Sequence, residues 1–163
     1  MTGIVFIVRA VPAPQGSKSA FRNQYTGKIQ QVESSKKVKP WRDAVRSDAV
    51  TAMRKMGVAM FDGPLFARMV FTMVRPKSHY RTGKNAHLLR DDAPARPTSA
   101  PDLSKLLRST EDALTDAGFW RDDARVVEYV RAAKVYAGED PDALDSPGAI
   151  IHVWGVGMSD VLL

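Results

Sequence analysis

The sequence predicts an α/β (α+β) protein, because segments with the period of a β-strand are interspersed with two segments that have the period of an α-helix. In residues 65–73, apolar side chains alternate onto one face. In residues 41–56 and 103–117, they recur at helical spacing, as in amphipathic helices. With 163 residues and a hydrophobic content of 44%, the chain is long enough for one modest core. We therefore expect a single domain over residues 1–163.

A strand and a basic hairpin are expected before the first helix. The apolar run in residues 2–11 predicts a buried strand. Its most apolar part, residues 4–8, is too short to span a bilayer and follows no basic region, so we expect a cytoplasmic protein with no membrane segment. Residues 19–32 predict a hairpin that turns near Gly27.

The first helix is expected to follow Ser34 or Ser35, either of which can cap it, and to end near Gly57. Pro40 is tolerated in a first turn, where a backbone N–H has no helical acceptor. Trp41 starts the apolar stripe, and burial is the simpler interpretation for it. Aromatic residues that lie among basic ones can stack on exposed bases: Phe21, Tyr25 and Tyr80.

A second strand and a long irregular segment occupy the middle of the chain. Residues 65–73 predict the strand, and residues 76–100 carry basic side chains among loop formers with little periodicity. Two interpretations of residues 76–100 remain open. They form either a mobile basic loop with a function or a disordered insertion.

The last third of the chain predicts a helix and two strands. The helix begins at Leu103 and stops at Gly118, because glycine readily adopts the conformation that ends a helix. Strands are expected in residues 126–136 and 149–156, with an acidic turn region between them. No internal repeat or linker divides the chain.

The net charge of +6 is unevenly distributed along the chain. Residues 1–101 contain 18 Lys and Arg and 6 Asp and Glu, whereas residues 102–163 contain 6 and 12, respectively. A nucleic-acid-binding surface followed by an acidic catalytic segment would produce this division. A basic surface that serves only solubility is the alternative.

The acidic residues around the last helix form the candidate catalytic constellation. Asp102 precedes the helix and Asp122 and Asp123 follow it, so one helical hairpin can bring them together. Clustered carboxylates repel each other unless a cation neutralises them, and hard oxygen ligands suit Mg²⁺, or alternatively Mn²⁺. Such a metal can activate water and stabilise the reacting phosphate in phosphodiester hydrolysis.

Simpler roles remain open for Asp102 and Arg108, and other kinds of catalytic or cofactor site are disfavoured. Asp102 can cap the helix. Arg108 shares an exposed helix face with Ser104 and Glu111, where it can contact a scissile phosphate or pair with Glu111. The three histidines lack metal-ligand spacing, and the chain has no cysteine. No glycine-rich phosphate-binding motif occurs, so a nucleotide cofactor is not expected.

Four short motifs resemble the RusA family of Holliday junction resolvases. They are Asp-Leu-x-x-Leu-Leu at residues 102–107, Asp-Ala-Leu-Thr at 112–115, Ala-Gly-Phe-Trp at 117–120 and Asp-Asp-Ala-x-Val-Val at 122–127. The resemblance is dense over residues 101–131 and looser upstream. It implies a small mixed β-sheet of about four to five strands packed against two main helices, and a homodimer. It also implies Mg²⁺-dependent paired nicking of four-way junction DNA in recombination and repair, with a phage or prophage origin.

Carried over by resemblance, Asp102 matches the first acid of the family's Asp-x-Asp motif, Asp123 the later catalytic acid and Asp122 its acidic neighbour. Two residues depart from the family pattern. Ser104 stands where a second Asp is usual, and Arg108 stands where a Lys is usual.

Since Ser104 has no carboxylate, we expect Glu111 to supply one from the same helix face, at a rise of ~10 Å along the axis. The expected metal ligands are then Asp102, Asp122, Asp123 and Glu111, and the expected catalytic residues are Asp102, Arg108, Glu111 and Asp123. The candidate DNA-binding residues are Lys18, Arg22, Lys28, Lys36, Lys37 and Lys105.

Three functions follow from these observations. The first is a crossover junction endodeoxyribonuclease. The second is a catalytically weakened or inactive protein that binds junction or duplex DNA, with Ser104 marking the lost activity. The third is a basic accessory protein in which the acidic segment only caps and solvates a helix.

Overall fold

Two helices pack on one face of a four-stranded mixed sheet. The computed structural model describes residues 3–16, 18–33 and 36–157, with the backbone alone at residues 18–21 and 30–33. The elements are β1 (Ile4–Val8), β2 (Lys18–Arg22), β3 (Ile29–Glu33), α1 (Val38–Met56), β4 (Leu65–Thr72), α2 (Leu103–Asp116), β5 (Val126–Val135) and β6 (Gly148–Gly155). The expected fold class, with a mixed sheet and two main helices, is confirmed.

The main sheet has the strand order β1-β6-β4-β5. Strand β6 pairs antiparallel with both β1 and β4, whereas β4 and β5 are parallel. Strands β2 and β3 form a separate hairpin. In the part of the chain that the structure describes, no helix is long and apolar enough to cross a membrane.

The core lies between the two helices and the inner face of the sheet. Every second residue of β4, from Leu65 to Phe71, is buried there. Trp41 of α1 is fully buried, and its indole Nε1 donates a hydrogen bond of 3.1 Å to Thr110 Oγ1 of α2. Because a buried indole N–H needs an acceptor, this bond fixes the contact between the helices. Trp41 is therefore a core residue, as the sequence favours.

The C-terminal ends of the two helices agree with the sequence-based expectations. Helix α1 stops at Met56 because Gly57, with φ of 65°, adopts the left-handed conformation that closes a helix. Gly118, with φ of 68°, follows α2 in the same way. Pro40 lies in the first turn of α1, as expected. Helix α1 begins later than expected: Lys37 occupies its N-cap position and makes no side-chain capping hydrogen bond, so the cap is neither Ser34 nor Ser35, which lie outside the described residues.

The segment 76–100 has little regular structure, but named contacts hold it against the domain. It contains two short 3-10 turns and an isolated bridge between Tyr80 and Leu89. Near its end, Arg96 pairs with Asp140 at 2.9 Å. Just before it, the guanidinium of Arg75 lies 4.1 Å from the ring centroid of Tyr136. The mobility expected for residues 76–100 stays a prediction.

Strand β5 contains two irregularities that decide which of its side chains face α2. The register with β4 shifts twice, so that Val127 and Val130 are the extra residues and are exposed. As a result, Tyr129 lies opposite Ala67 and Lys134 lies opposite Phe71. Since Ala67 and Phe71 belong to the buried inner face, Tyr129 and Lys134 also lie on the face that α2 covers.

Candidate metal and DNA site

The carboxylate of Asp102 does not cap α2, although Asp102 occupies the N-cap position. Its side chain is 64% exposed, and its ion-pair contact is with Lys105 at 3.8 Å. An exposed pair at this distance contributes little to stability. The capping role that the sequence left open is therefore not the one observed, and the carboxylate is accessible.

The backbone that precedes Asp102 is held by a lysine from the sheet. Lys134 Nζ donates hydrogen bonds of 2.9 Å to the carbonyl oxygens of both Ser99 and Pro101. In the first turn of α2, the carbonyl oxygen of Lys105 accepts a hydrogen bond of 3.0 Å from the backbone N–H of Gln15. These contacts fix the start of α2, and with it the position of Asp102.

Glu111 lies further along α2, where it meets β5. The hydroxyl of Tyr129 donates a hydrogen bond of 2.5 Å to Glu111 Oε1. Burial raises the pKa of Glu111, the Tyr129 hydrogen bond opposes that shift, and the negative charges of Asp123 and Asp112 reinforce it. Burial and the bond to Glu111 likewise raise the pKa of Tyr129, so its hydroxyl remains protonated as the donor.

Arg108 remains exposed on the same helix. It is close enough for its charge to favour the ionised form of Glu111, but the hydrogen bond of Glu111 goes to Tyr129. The direct Arg108–Glu111 ion pair that the sequence left open is not formed among the described contacts. Ser104 is exposed one turn before Arg108.

Asp122 and Asp123 lie at the turn between α2 and β5. Asp122 Oδ1 accepts a hydrogen bond of 2.8 Å from the backbone N–H of Ala124, so Asp122 caps the 3-10 turn Asp123–Arg125. Asp123 is exposed. Beside it is an open depression lined by Arg121, Asp122, Ala124 and Arg125.

The acidic residues fit a divalent cation only in part. Within residues 3–16, 18–33 and 36–157, no three His, Asp or Glu side chains are grouped as a metal site. The expected set of four carboxylates is thus not assembled there. Glu111 and Asp123 do interact electrostatically, and both offer hard oxygen donors. Because Mg²⁺ commonly uses one or two carboxylates, with waters and substrate phosphates as its other ligands, this pair suits it.

The predicted DNA-binding residues lie on three elements. Arg22 and Lys28 are exposed on the hairpin, Lys36 and Lys37 are exposed at the start of α1, and Lys105 is exposed on α2. The side chain of Lys18 lies outside the described residues. Tyr25, at the hairpin turn, is 90% exposed.

Four residues beside the site were not predicted from the sequence. Arg121 and Arg125 flank the Asp-Asp pair in the sequence and share Asp62 as their partner, at 3.3 and 3.0 Å. Because they flank the acidic pair in the sequence, their position beside the site could have been predicted. The position of Tyr129 could not, because the sheet face on which it lies depends on the irregular register of β5. Lys134 lies on the face that strict alternation predicts, but nothing local indicates which carbonyl groups it binds.

Comparison with known proteins shows which family the chain belongs to. The family model described as endodeoxyribonuclease RusA matches residues 11–143, which is most of the chain. No curated protein sequence matches the chain. The matched range includes the hairpin, both helices, Asp102, Glu111 and Asp123. The chain therefore belongs to the RusA family of endodeoxyribonucleases.

Proposed function

We propose that this protein is a Mg²⁺-dependent, structure-selective DNA endonuclease that resolves four-way junctions by paired phosphodiester hydrolysis. The observation that carries the proposal is the match of the endodeoxyribonuclease RusA family model to residues 11–143. The exposed, uncapped carboxylate of Asp102 supports it further.

Glu111 and Asp123 would hold the cation, with Asp102 as a further ligand and Asp122 in an outer position. A bound Mg²⁺, or Mn²⁺ in its place, would lower the pKa of a water molecule and offset negative charge on the phosphate. Arg108 is exposed on the same helix, where its planar guanidinium can contact phosphate oxygens.

The DNA backbone would be contacted by the basic residues of the hairpin and of the start of α1, and by Lys105. Such contacts release counterions, so DNA binding should weaken steeply as salt is added. We also propose a homodimer, because two sites related by a two-fold axis can nick two opposed strands symmetrically. Action on phage or host DNA in recombination and repair would place the protein in the cytoplasm.

The decisive experiment compares a labelled four-way junction with a linear duplex of the same sequence, with Mg²⁺ or with EDTA. We expect symmetric paired nicks in the junction that require the metal. Asp123→Asn should lower the cleavage rate about 10²-fold or more if the carboxylate helps to activate water. Asp91→Asn is the matched control, because Asp91 is 97% exposed in the segment 76–100.

Two results would contradict the proposal. Tight junction binding without any nick would instead favour the DNA-binding protein with lost catalysis, since Ser104 removes one acid of the family motif. Equal affinity for junction and duplex, again without nicks, would favour the basic accessory protein.

A further inference from the structure

We propose that Tyr129 is a positioning residue that holds the Glu111 carboxylate in place for a divalent cation, so that Glu111 takes over the role of the carboxylate absent at Ser104. This inference rests on the proposed function, because it assumes that the acidic residues bind a divalent cation. It concerns a pair of residues on α2 and β5 that the family motif does not include.

The contact itself is short and specific. Tyr129 donates its hydroxyl proton to Glu111 Oε1 at 2.5 Å, a distance typical of a hydrogen bond to a carboxylate. One carboxylate oxygen is thereby engaged, and the other is left to bind a cation. Hydrogen-bond partners of this kind orient metal-ligating carboxylates, and their removal commonly weakens metal binding.

The donor stands on a rigid element. Tyr129 is half-buried and packs against the core, and its backbone is paired with Ala67 in the main sheet. A tyrosine ring has few accessible rotamers, so the hydroxyl has a defined position once the ring is packed. Glu111, in contrast, has a long side chain with several rotamers. The hydrogen bond therefore limits Glu111 more than it limits Tyr129.

The surrounding charges explain why Glu111 needs such a partner. Asp112 and Asp123 both act on Glu111 with negative charge, and Arg108 acts with positive charge. Without the tyrosine hydroxyl, these charges would act on a carboxylate whose long side chain can change rotamer. Tyr129 thus fixes a carboxylate whose ionised form the neighbouring negative charges disfavour.

The test is a double-mutant cycle read out by Mn²⁺ binding, measured by electron paramagnetic resonance on the folded protein without DNA. Tyr129→Phe keeps the packed ring and removes only the hydroxyl. We expect Tyr129→Phe and Glu111→Gln each to raise the Mn²⁺ dissociation constant about 10- to 100-fold. The double variant should be no weaker than Glu111→Gln, because Tyr129 acts only through Glu111.

Tyr136→Phe is the matched control, since it removes a hydroxyl from a tyrosine whose ring lies against Arg75 and which has no proposed role in metal or DNA binding. A urea unfolding curve for each variant checks that the variant is folded. The inference is overturned if Tyr129→Phe binds Mn²⁺ as tightly as the wild type, or if Glu111→Gln does so. Additive losses in the double variant would also overturn it.

Junction cleavage, measured in parallel, separates this inference from the proposed function. Coupled Mn²⁺ binding in a protein that cleaves no DNA would refute the nuclease and support the role of Tyr129. Metal-dependent cleavage together with unaltered Mn²⁺ affinity in Tyr129→Phe would refute the role of Tyr129 and support the nuclease.

Discussion

Replacing Lys134 by Met should both destabilise the protein and impair its action on DNA. Lys134 Nζ holds the carbonyl oxygens of Ser99 and Pro101, immediately before Asp102. Methionine preserves most of the apolar stem but donates no hydrogen bond. The substitution therefore removes the contacts that fix the start of α2 while disturbing the packing little.

The magnitude follows from the two bonds. A hydrogen bond that involves a charged group contributes about 1.5–3 kcal/mol to stability when it is shielded from water. The bond to Ser99 is exposed and the bond to Pro101 is only partly buried, so water replaces part of each. We expect a total loss of about 2 kcal/mol, which for a domain of this size lowers Tm by roughly 4–8 °C.

Thermal unfolding and junction cleavage measured on the same preparation test this prediction. Cleavage should fall by about tenfold or more, because Asp102 is no longer held in place. Lys39→Met is the control, since Lys39 forms only an exposed pair with Asp43 on α1. A Tm and a cleavage rate both equal to those of the wild type would refute the positioning of Asp102 by Lys134.

Two further predictions concern the sheet surface and the hairpin. Arg131 lowers the pKa of Asp140, whose side chain is 3% exposed, so Asp140→Asn should cost about 1–3 kcal/mol of unfolding free energy at neutral pH. That cost should be fully present above the unfolded pKa of about 3.9. It should shrink as the pH falls below that value toward the lowered folded pKa, because the unfolded chain then binds a proton that the folded carboxylate does not. Tyr25 is 90% exposed, so Tyr25→Ala should weaken junction binding by about 5- to 150-fold if its ring stacks on a base, whereas Tyr25→Phe should not.

Urea unfolding between pH 2 and pH 7 checks the first of these, and a cost of Asp140→Asn that is independent of pH would contradict it. Fluorescence anisotropy with a labelled junction checks the second. Equal affinities for Tyr25→Ala and Tyr25→Phe would show that the ring does not stack on DNA.

Much of the fold could be predicted because its determinants are local. Alternating apolar residues in β4 and the helical stripes of α1 and α2 specify which faces are buried. Gly57 and Gly118 mark the helix ends, because a positive φ there favours glycine. The roles of Asp102, Glu111 and Asp123 remain proposals, and the expected set of four carboxylates is not assembled among the described residues.

The sequence by itself determined the strands, the two helices, the basic and acidic halves of the chain and the RusA motifs. Only the tertiary structure decided that Tyr129 lies on the sheet face that α2 covers and that Lys134 holds the backbone before Asp102. Strict alternation from Val126 would place Tyr129 on the opposite face of the sheet. The register shift after Val126 reverses this facing, and the second shift, after Tyr129, returns Lys134 to the face that alternation predicts. A bulge depends on the pairing with β4, and that pairing joins residues about sixty positions apart in the chain. The periodicity of apolar residues within β5 therefore does not indicate where the bulges lie.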